Sequence, residues 1–161
     1  MKLQQKRHYE FLSFHLTPEI QSMLSTDLVS EIIRITPNQI IPIYGVFSSV
    51  MGVCNRRGEV LWIIDFASLL TLSPSLKESY YNPYNIIIIH QHNKVVGLAV
   101  HQVGQLVREK DVNPPEIVIK SIPWELAHCL NKELQGQKGE LLLHLDGEKI
   151  FELLKKKEIS H

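Results

Sequence analysis

A fourteen-residue stretch of this chain occurs twice, about half a chain apart. Arg57 to Leu70 returns as Lys138 to Phe151 with no gap. The glycine (Gly58, Gly139), the glutamate (Glu59, Glu140), one leucine (Leu61, Leu142) and the aspartate (Asp65, Asp146) are identical. Most of the other apolar positions keep their character. A second echo lies upstream of each copy: Leu24, Val29, Ile32 and Ile33 have the same spacing as Leu98, Val103, Leu106 and Val107. Two echoes in the same order imply two similar small structural units. A unit of ~75–80 residues is small for a self-sufficient core without disulfides or a metal. The two halves are therefore expected to bury surface against each other.

Local pattern gives the elements. Tyr9 to Leu16 is aromatic and apolar and reads as a strand, broken at Thr17-Pro18-Glu19. Ser22 to Ile33 is ambiguous, because Leu24, Leu28 and Ile32 have helical spacing while the flanks are short and β-branched. A strand running into a short helical turn near Thr26-Asp27 reconciles the two. Pro37 and Pro42 bracket an extended connection. Asn55-Arg56-Arg57-Gly58 is a turn between strands Val50–Cys54 and Val60–Ile64. Asp65 is placed to cap a short helix through Leu70. Ser73 to Pro83, polar and aromatic, marks the boundary between the halves, and Tyr80, Tyr81 and Tyr84 fall in or beside it.

The second half opens on Ile86–Ile89, a wholly apolar strand. His90 to Lys94 is a hairpin tip, and Val95–Val100 returns. Pro114-Pro115 breaks the chain, Ile117–Ile119 is a short strand, and Leu141–Leu145 is the last. Asp146 caps a C-terminal helix carrying Ile150, Phe151, Leu153 and Leu154, with Lys155, Lys156 and Lys157 in its last turn. Many short strands with frequent turns suggest small barrels or a sandwich.

Charge and cysteine content exclude several classes. Seventeen basic and 17 acidic side chains cancel, so nothing argues for a dominant attraction to nucleic acid or anionic lipid. Lys2, Lys6 and Arg7 are a small basic group at the other end. The two cysteines, Cys54 and Cys129, are fewer than a secreted chain of this size usually carries. There is no signal-peptide pattern and no apolar run near the roughly 20 residues of a membrane helix. A soluble, cytoplasmic protein without direct membrane insertion is expected.

The candidates for chemistry are weak. His90-x-His92 could offer two imidazoles to a metal, but no further ligand follows at metal-site spacing. Cys54 could be a nucleophile with a histidine base, yet it sits in an apolar run, where cysteine behaves as a small buried hydrophobe. An enzyme built on Cys54, His90, His92 or His101 is one alternative. A tandem small-barrel nucleic-acid-binding protein is another. Asp65 and Asp146 share one place in the two repeats, which argues for paired helix caps over a catalytic pair. Arg56 and Arg57 either are solvated turn residues or hold one guanidinium in a groove, against carbonyls or a partner's carboxylate.

Met51 to Phe66 carries a family resemblance. Asn55, Arg57, Gly58 and Asp65 stand where the CheW family of chemosensory adaptors has its asparagine, arginine, glycine and strand-ending aspartate, while Arg56 replaces a usually apolar residue. Val29-Ser30-Glu31-Ile32 is similar to the family's short Val-x-Glu-Ile element. Ile86–Ile89 with Gly97-Leu98-Ala99-Val100 resembles its second-half hairpin, and Leu145-Asp146 with Ile150 and Phe151 its closing strand and helix. His101, His128-Cys129 and Thr17-Pro18-Glu19 depart from the pattern.

The resemblance covers nearly the whole chain and implies a mostly β fold. Two SH3-like five-stranded β-barrels would pack side by side, with short helices and a C-terminal helix. They would form a single CheW-like domain over 9–157, with subdomains at about 9–74 and 83–157 after a tail at 1–8. It further implies a non-catalytic adaptor without cofactor or metal. Its expected partners are the regulatory domain of a CheA-type histidine kinase and the cytoplasmic tips of chemoreceptors, at membrane-attached arrays. Val29, Glu31, Asn55, Arg57 and Gly58 become the expected partner-binding residues. A chain of this length has no room for a receiver or kinase as well, so a free-standing adaptor is expected.

Overall fold

The structure, a computed structural model, describes residues 10–73, 76, 83–115 and 121–159. The tail 1–8, Tyr9, Tyr80, Tyr81 and the strand expected at Ile117–Ile119 lie outside the described residues, as does most of the boundary run. The strands are β1 (Glu10–Thr17), β2 (Ile20–Ser25), β3 (Val29–Ile35), β4 (Val50–Arg56), β5 (Glu59–Asp65), β6 (Tyr84–Gln91), β7 (Lys94–Val100), β8 (Gln102–Arg108), β9 (Leu130–Gln135) and β10 (Leu141–Leu145). The helices are α1 (Phe66–Leu69), α2 (Trp124–Cys129) and α3 (Gly147–Ile159).

Local chemistry sets the turns. Between β1 and β2, Pro18 presets a turn dihedral, and the Thr17 hydroxyl accepts from the N–H groups of Glu19 and Ile20 at 3.3 and 3.2 Å. The helical spacing of Leu24, Leu28 and Ile32 yields only one 3-10 turn, Thr26–Leu28, capped by Ser25. The β-branched run Val29, Ile32, Ile33 and Ile35 then extends as β3.

The strands form two five-stranded sheets, ordered β8-β1-β2-β10-β9 and β3-β6-β7-β5-β4. Each is a pair of antiparallel hairpins joined by one parallel contact, with one further strand at an edge. The sequence repeat reappears in the register. Ile63 on β5 pairs with Gly97 on β7, and His144 on β10 pairs with Met23 on β2; Ile63 and His144 are the same position of the two copies. The caps repeat too. Asp65 accepts from the Ser68 N–H at 3.2 Å, and Asp146 from the Lys149 N–H at 3.4 Å, three residues on in each case.

The sheets do not follow the expected division at about 9–74 and 83–157. One sheet takes β1 and β2 from the first half and β8, β9 and β10 from the second. The other takes β3, β4 and β5 from the first half and β6 and β7 from the second. The third strand of each half is exchanged: β3 lies beside β6, and β8 beside β1. A repeat fixes that two equivalent sets of strands exist, but backbone hydrogen bonding is the same for every residue, so the repeat does not say which copy supplies a neighbour.

Each sheet closes. Beyond β3 the chain returns so that Ile41 and Val53 exchange both backbone bonds, at 2.7 and 2.9 Å. Beyond β8, Asn113 and Gln135 do the same at 3.0 and 2.7 Å. Gly52 (φ +143) makes the first closure possible, because a Cβ there would run into the Ile41 carbonyl oxygen.

Side-chain alternation then sorts three cores. Ile86 and Ile88 point into one barrel with Ile35, Cys54, Leu61, Ile63 and Ala99. Phe11, Met23, Leu134 and Leu142 fill the other. Ile87 and Ile89 face the seam between barrels, where they join the largest cluster, which includes Leu12, Phe14, Leu24, Ile64 and Phe66. The run Ile86–Ile89 is apolar throughout because both of its faces are buried. Helix α3 covers one end of the seam with Ile150, Phe151 and Leu153.

Three elements had no clear sequence signal. β8 is mostly exposed, and its alternation is interrupted at Gly104. α2 and β9 form one run in which Leu126, Leu130 and Leu134 keep helical spacing, yet the helix stops at Cys129. Leu130 instead pairs with Leu145, and Leu134 is drawn into a barrel interior. Tyr84, placed near the linker by composition, begins β6 and packs against a barrel core.

Candidate functional site

Barrel closure assembles the first part of the site. Glu31 lies on β3, and Arg56 ends β4, the opposite edge of the same sheet. A flat five-stranded sheet would hold its edges roughly 19 Å apart. Here the Glu31 carboxylate is ion-paired with Arg56, and its second oxygen lies 3.6 Å from the Arg57 guanidinium. The Arg56 side chain is 22% exposed and that of Arg57 76%. The two arginines therefore differ in exposure, Arg56 as the last residue of β4 and Arg57 as the residue beyond it. The guanidinium held close is Arg56, and what holds it is a carboxylate of the same chain.

The turn between β4 and β5 has two residues, Arg57 (φ 54) and Gly58 (φ 81), both left-handed. Such turns match the twist of a hairpin. The Asn55 carboxamide oxygen accepts from the Gly58 N–H at 3.1 Å, which holds the turn and aims Arg57 outward. The structure thus brings Glu31, Asn55, Arg57 and Gly58 together with Arg56. Val29 sits apart from them: it pairs with Ile89 and packs, half-buried, against the seam core.

A second feature opens at the other end of the β4–β5 hairpin. A groove of about 580 Å³ is walled by Phe47, Val50, Trp62, Val96, Phe151 and Leu154, with Lys94, Lys155 and Glu158 as the charged residues lining it. It continues the seam to the surface between the β3-β6-β7-β5-β4 barrel and α3. Val50 and Arg56 are the two ends of one strand, and Trp62 pairs with Val53 between them, so the near wall of the groove stands about 10 Å along the hairpin from the arginine turn and the far wall about 20 Å. Phe151 and Leu154 were read from the sequence as apolar residues of the C-terminal helix, but none of the six as the wall of a groove. The signal was available: Val60 and Trp62 alternate with Leu61 and Ile63, so large apolar residues occupy both faces of β5, and Trp62 remains 39% exposed.

The remaining candidates are placed as follows. His90 is exposed, with its Nδ1 2.6 Å from the Ser30 hydroxyl, and His92 occupies a turn at φ 56. Among the described residues, no three His, Cys, Asp or Glu lie together as a metal site would need. Burial pushes the Cys54 thiol up, opposite to what a nucleophile requires. Burial, and then Asp146 and Glu152, push Cys129 up to about 12. His101 is exposed, with its ring 6.5 Å from that of His15. No helix of the described residues is long and apolar enough to cross a membrane.

His144 gives a pH prediction. Burial first, and then the Lys132 charge, hold its pKa below the ordinary 6.5, against the opposing pull of Asp146 and Glu109. The unfolded chain takes up a proton near that value which the folded chain resists. Stability therefore falls as the pH drops below about 6.5, and stops falling through this group once the folded value is passed. In Tm measurements between about pH 7 and 5, His144→Gln should show a shallower acid slope than the parent.

A seam-fused pair of closed five-stranded barrels, with an apolar groove and a charged closure edge, defines a tandem-barrel module. The chain belongs to the CheW-like domain family, whose model matches residues 10–155; this is a family of signalling scaffolds and adaptors. The crystal structure of the scaffolding protein TtCheW from Thermoanaerobacter tengcongensis has the same fold, at a TM-score of 0.68 and 19% sequence identity. The alignment covers 86% of this chain and 89% of that one. No curated protein sequence matches the chain.

Proposed function

We propose that this protein is a non-catalytic adaptor that couples chemoreceptors to a CheA-type histidine kinase at cytoplasmic receptor arrays. The observation that carries this reading is the presence of an apolar groove and a charged closure edge on one double barrel of the CheW-like family. The groove suits the apolar face of a receptor's helical hairpin, with anchors near Trp62 and Phe47. Lys94 and Lys155 would set register against acidic flanks. The closure edge, with Glu31, Asn55, Arg57 and Gly58, and with Val29 at the start of the same strand, suits the kinase's regulatory domain.

Co-purification from the native cell tests the reading: a histidine kinase and a receptor should come down together with this chain. Arg57→Ala tests the edge. Its ion pair is long and exposed, so the variant should keep a cooperative melt within about 0.5 kcal/mol of the parent. It should recover markedly less receptor–kinase complex in pull-down. Normal complex assembly and normal kinase control in that variant would remove Arg57 from the site.

A further inference from the structure

The exchanged strands have a consequence for assembly. Among the described residues, four strand pairings lie within one half of the chain: β1 with β2, β4 with β5, β6 with β7 and β9 with β10. All are hairpins. The other four join the halves: β1 with β8, β2 with β10, β3 with β6 and β5 with β7. Every described junction that turns hairpins into a sheet is therefore made between halves. The seam core is also mixed, with Leu12, Phe14, Leu24 and Phe66 from the first half against Ile87, Leu98, Leu143 and Ile150 from the second. Isolated hairpins are marginal in water, so each half depends on the other for most of its burial.

We propose that the halves are exchangeable units. Two copies of this chain can trade them, the first half of each copy completing both barrels with the second half of the other. The partner is a second copy of this protein, because its complementary half carries both the registers and the seam side chains that the monomer itself uses. The traded contacts are those of the monomer, so strand pairing does not distinguish the two forms. The difference lies in the covalent link. It keeps the halves of one chain together at an effective concentration on the order of millimolar, so the monomer prevails when chains are dilute. Exchange requires breaking all four junctions, so it occurs on refolding, and a dimer once formed is trapped kinetically.

The test uses the full chain with a protease site introduced within 77–82. The protein is unfolded, refolded over a range of concentrations up to about 1 mM, and separated by size. A dimer is expected whose share grows with refolding concentration and which persists on dilution. Cutting the introduced site in that dimer should release two monomer-sized particles, each with one cooperative melt that now lies below the parent's and depends on concentration. A dimer built through an ordinary surface contact would keep its size after the cut. Cutting the monomer should leave its two pieces bound one to one. Once separated in denaturant, neither piece should melt cooperatively alone, and remixing should restore the transition. Absence of a dimer at every concentration, a dimer that survives the cut, or a piece that folds by itself would each overturn the proposal.

Discussion

Asp65→Ala should lower stability by about 3 kcal/mol, and Asp146→Ala by about 1 kcal/mol, although the two residues hold the same place in the repeat. Asp65 is 4% exposed. One of its carboxylate oxygens accepts from the Ser68 N–H at 3.2 Å, and the other from the Leu76 N–H at 3.1 Å. Its own N–H donates to the Ser49 carbonyl at 2.8 Å. Removing the carboxylate leaves two amide donors without that acceptor in a low-dielectric seam, where the desolvation cost is paid in full. It also frees Leu76, which packs against the barrel core around Ile35, Ile63 and Ile86. Asp146 accepts from Glu148 and Lys149 at 2.8 and 3.4 Å, but in a more open setting where water replaces it. For a chain of this size the Asp65 variant should melt about 6–12 °C below the parent. Urea titration of both variants with an unchanged slope gives the comparison. Equal losses would mean that burial does not separate the two caps.

Trp62→Ala should weaken binding of a receptor-tip fragment about 30-fold or more, equivalent to about 2 kcal/mol, while leaving the kinase regulatory domain within about twofold. Trp62 is a large aromatic at 39% exposure on the groove wall, the setting in which interface anchors concentrate. Its backbone pairing with Val53 is independent of the side chain, so the hairpin should survive the truncation. Isothermal calorimetry against the two partners separately reads both affinities. An unchanged receptor affinity would take the groove out of the proposed function. An equal loss against both partners would show that the substitution had disturbed the barrel as a whole.

Much of the local structure was legible in the residues. Thr17-Pro18-Glu19 marked the first hairpin turn because Pro18 and the Thr17 hydroxyl act within a few residues. Asp65 and Asp146 were readable as caps for the same reason, since a cap contacts an amide only three positions away. Asn55 and Gly58 could be paired in the turn. The meeting of Glu31 with Arg56 and Arg57 was not readable, because it depends on two sheet edges that come together only when the barrel closes. Arg56 was noted as a departure from the family pattern and, with Arg57, as a guanidinium that a groove or a partner's carboxylate could hold; the carboxylate that does hold it lies on a strand of the same chain that nothing local connects to it. The groove was missed for a similar cause. Its walls come from the loop before β4, from β4, β5, β7 and α3, and no contiguous motif contains them.

The sequence by itself determined that there are two equivalent sets of short strands, each ending in an aspartate-capped helix. Periodicity, turn residues and caps act over a few residues, and the repeat copies them together. Only the tertiary structure decided that the third strands trade places, so that each barrel is built from both halves. That choice rests on which edges meet around a common apolar seam. Backbone hydrogen bonds carry no label of the half they come from, and burial of the seam is satisfied by the assembly as a whole rather than by any one stretch of chain.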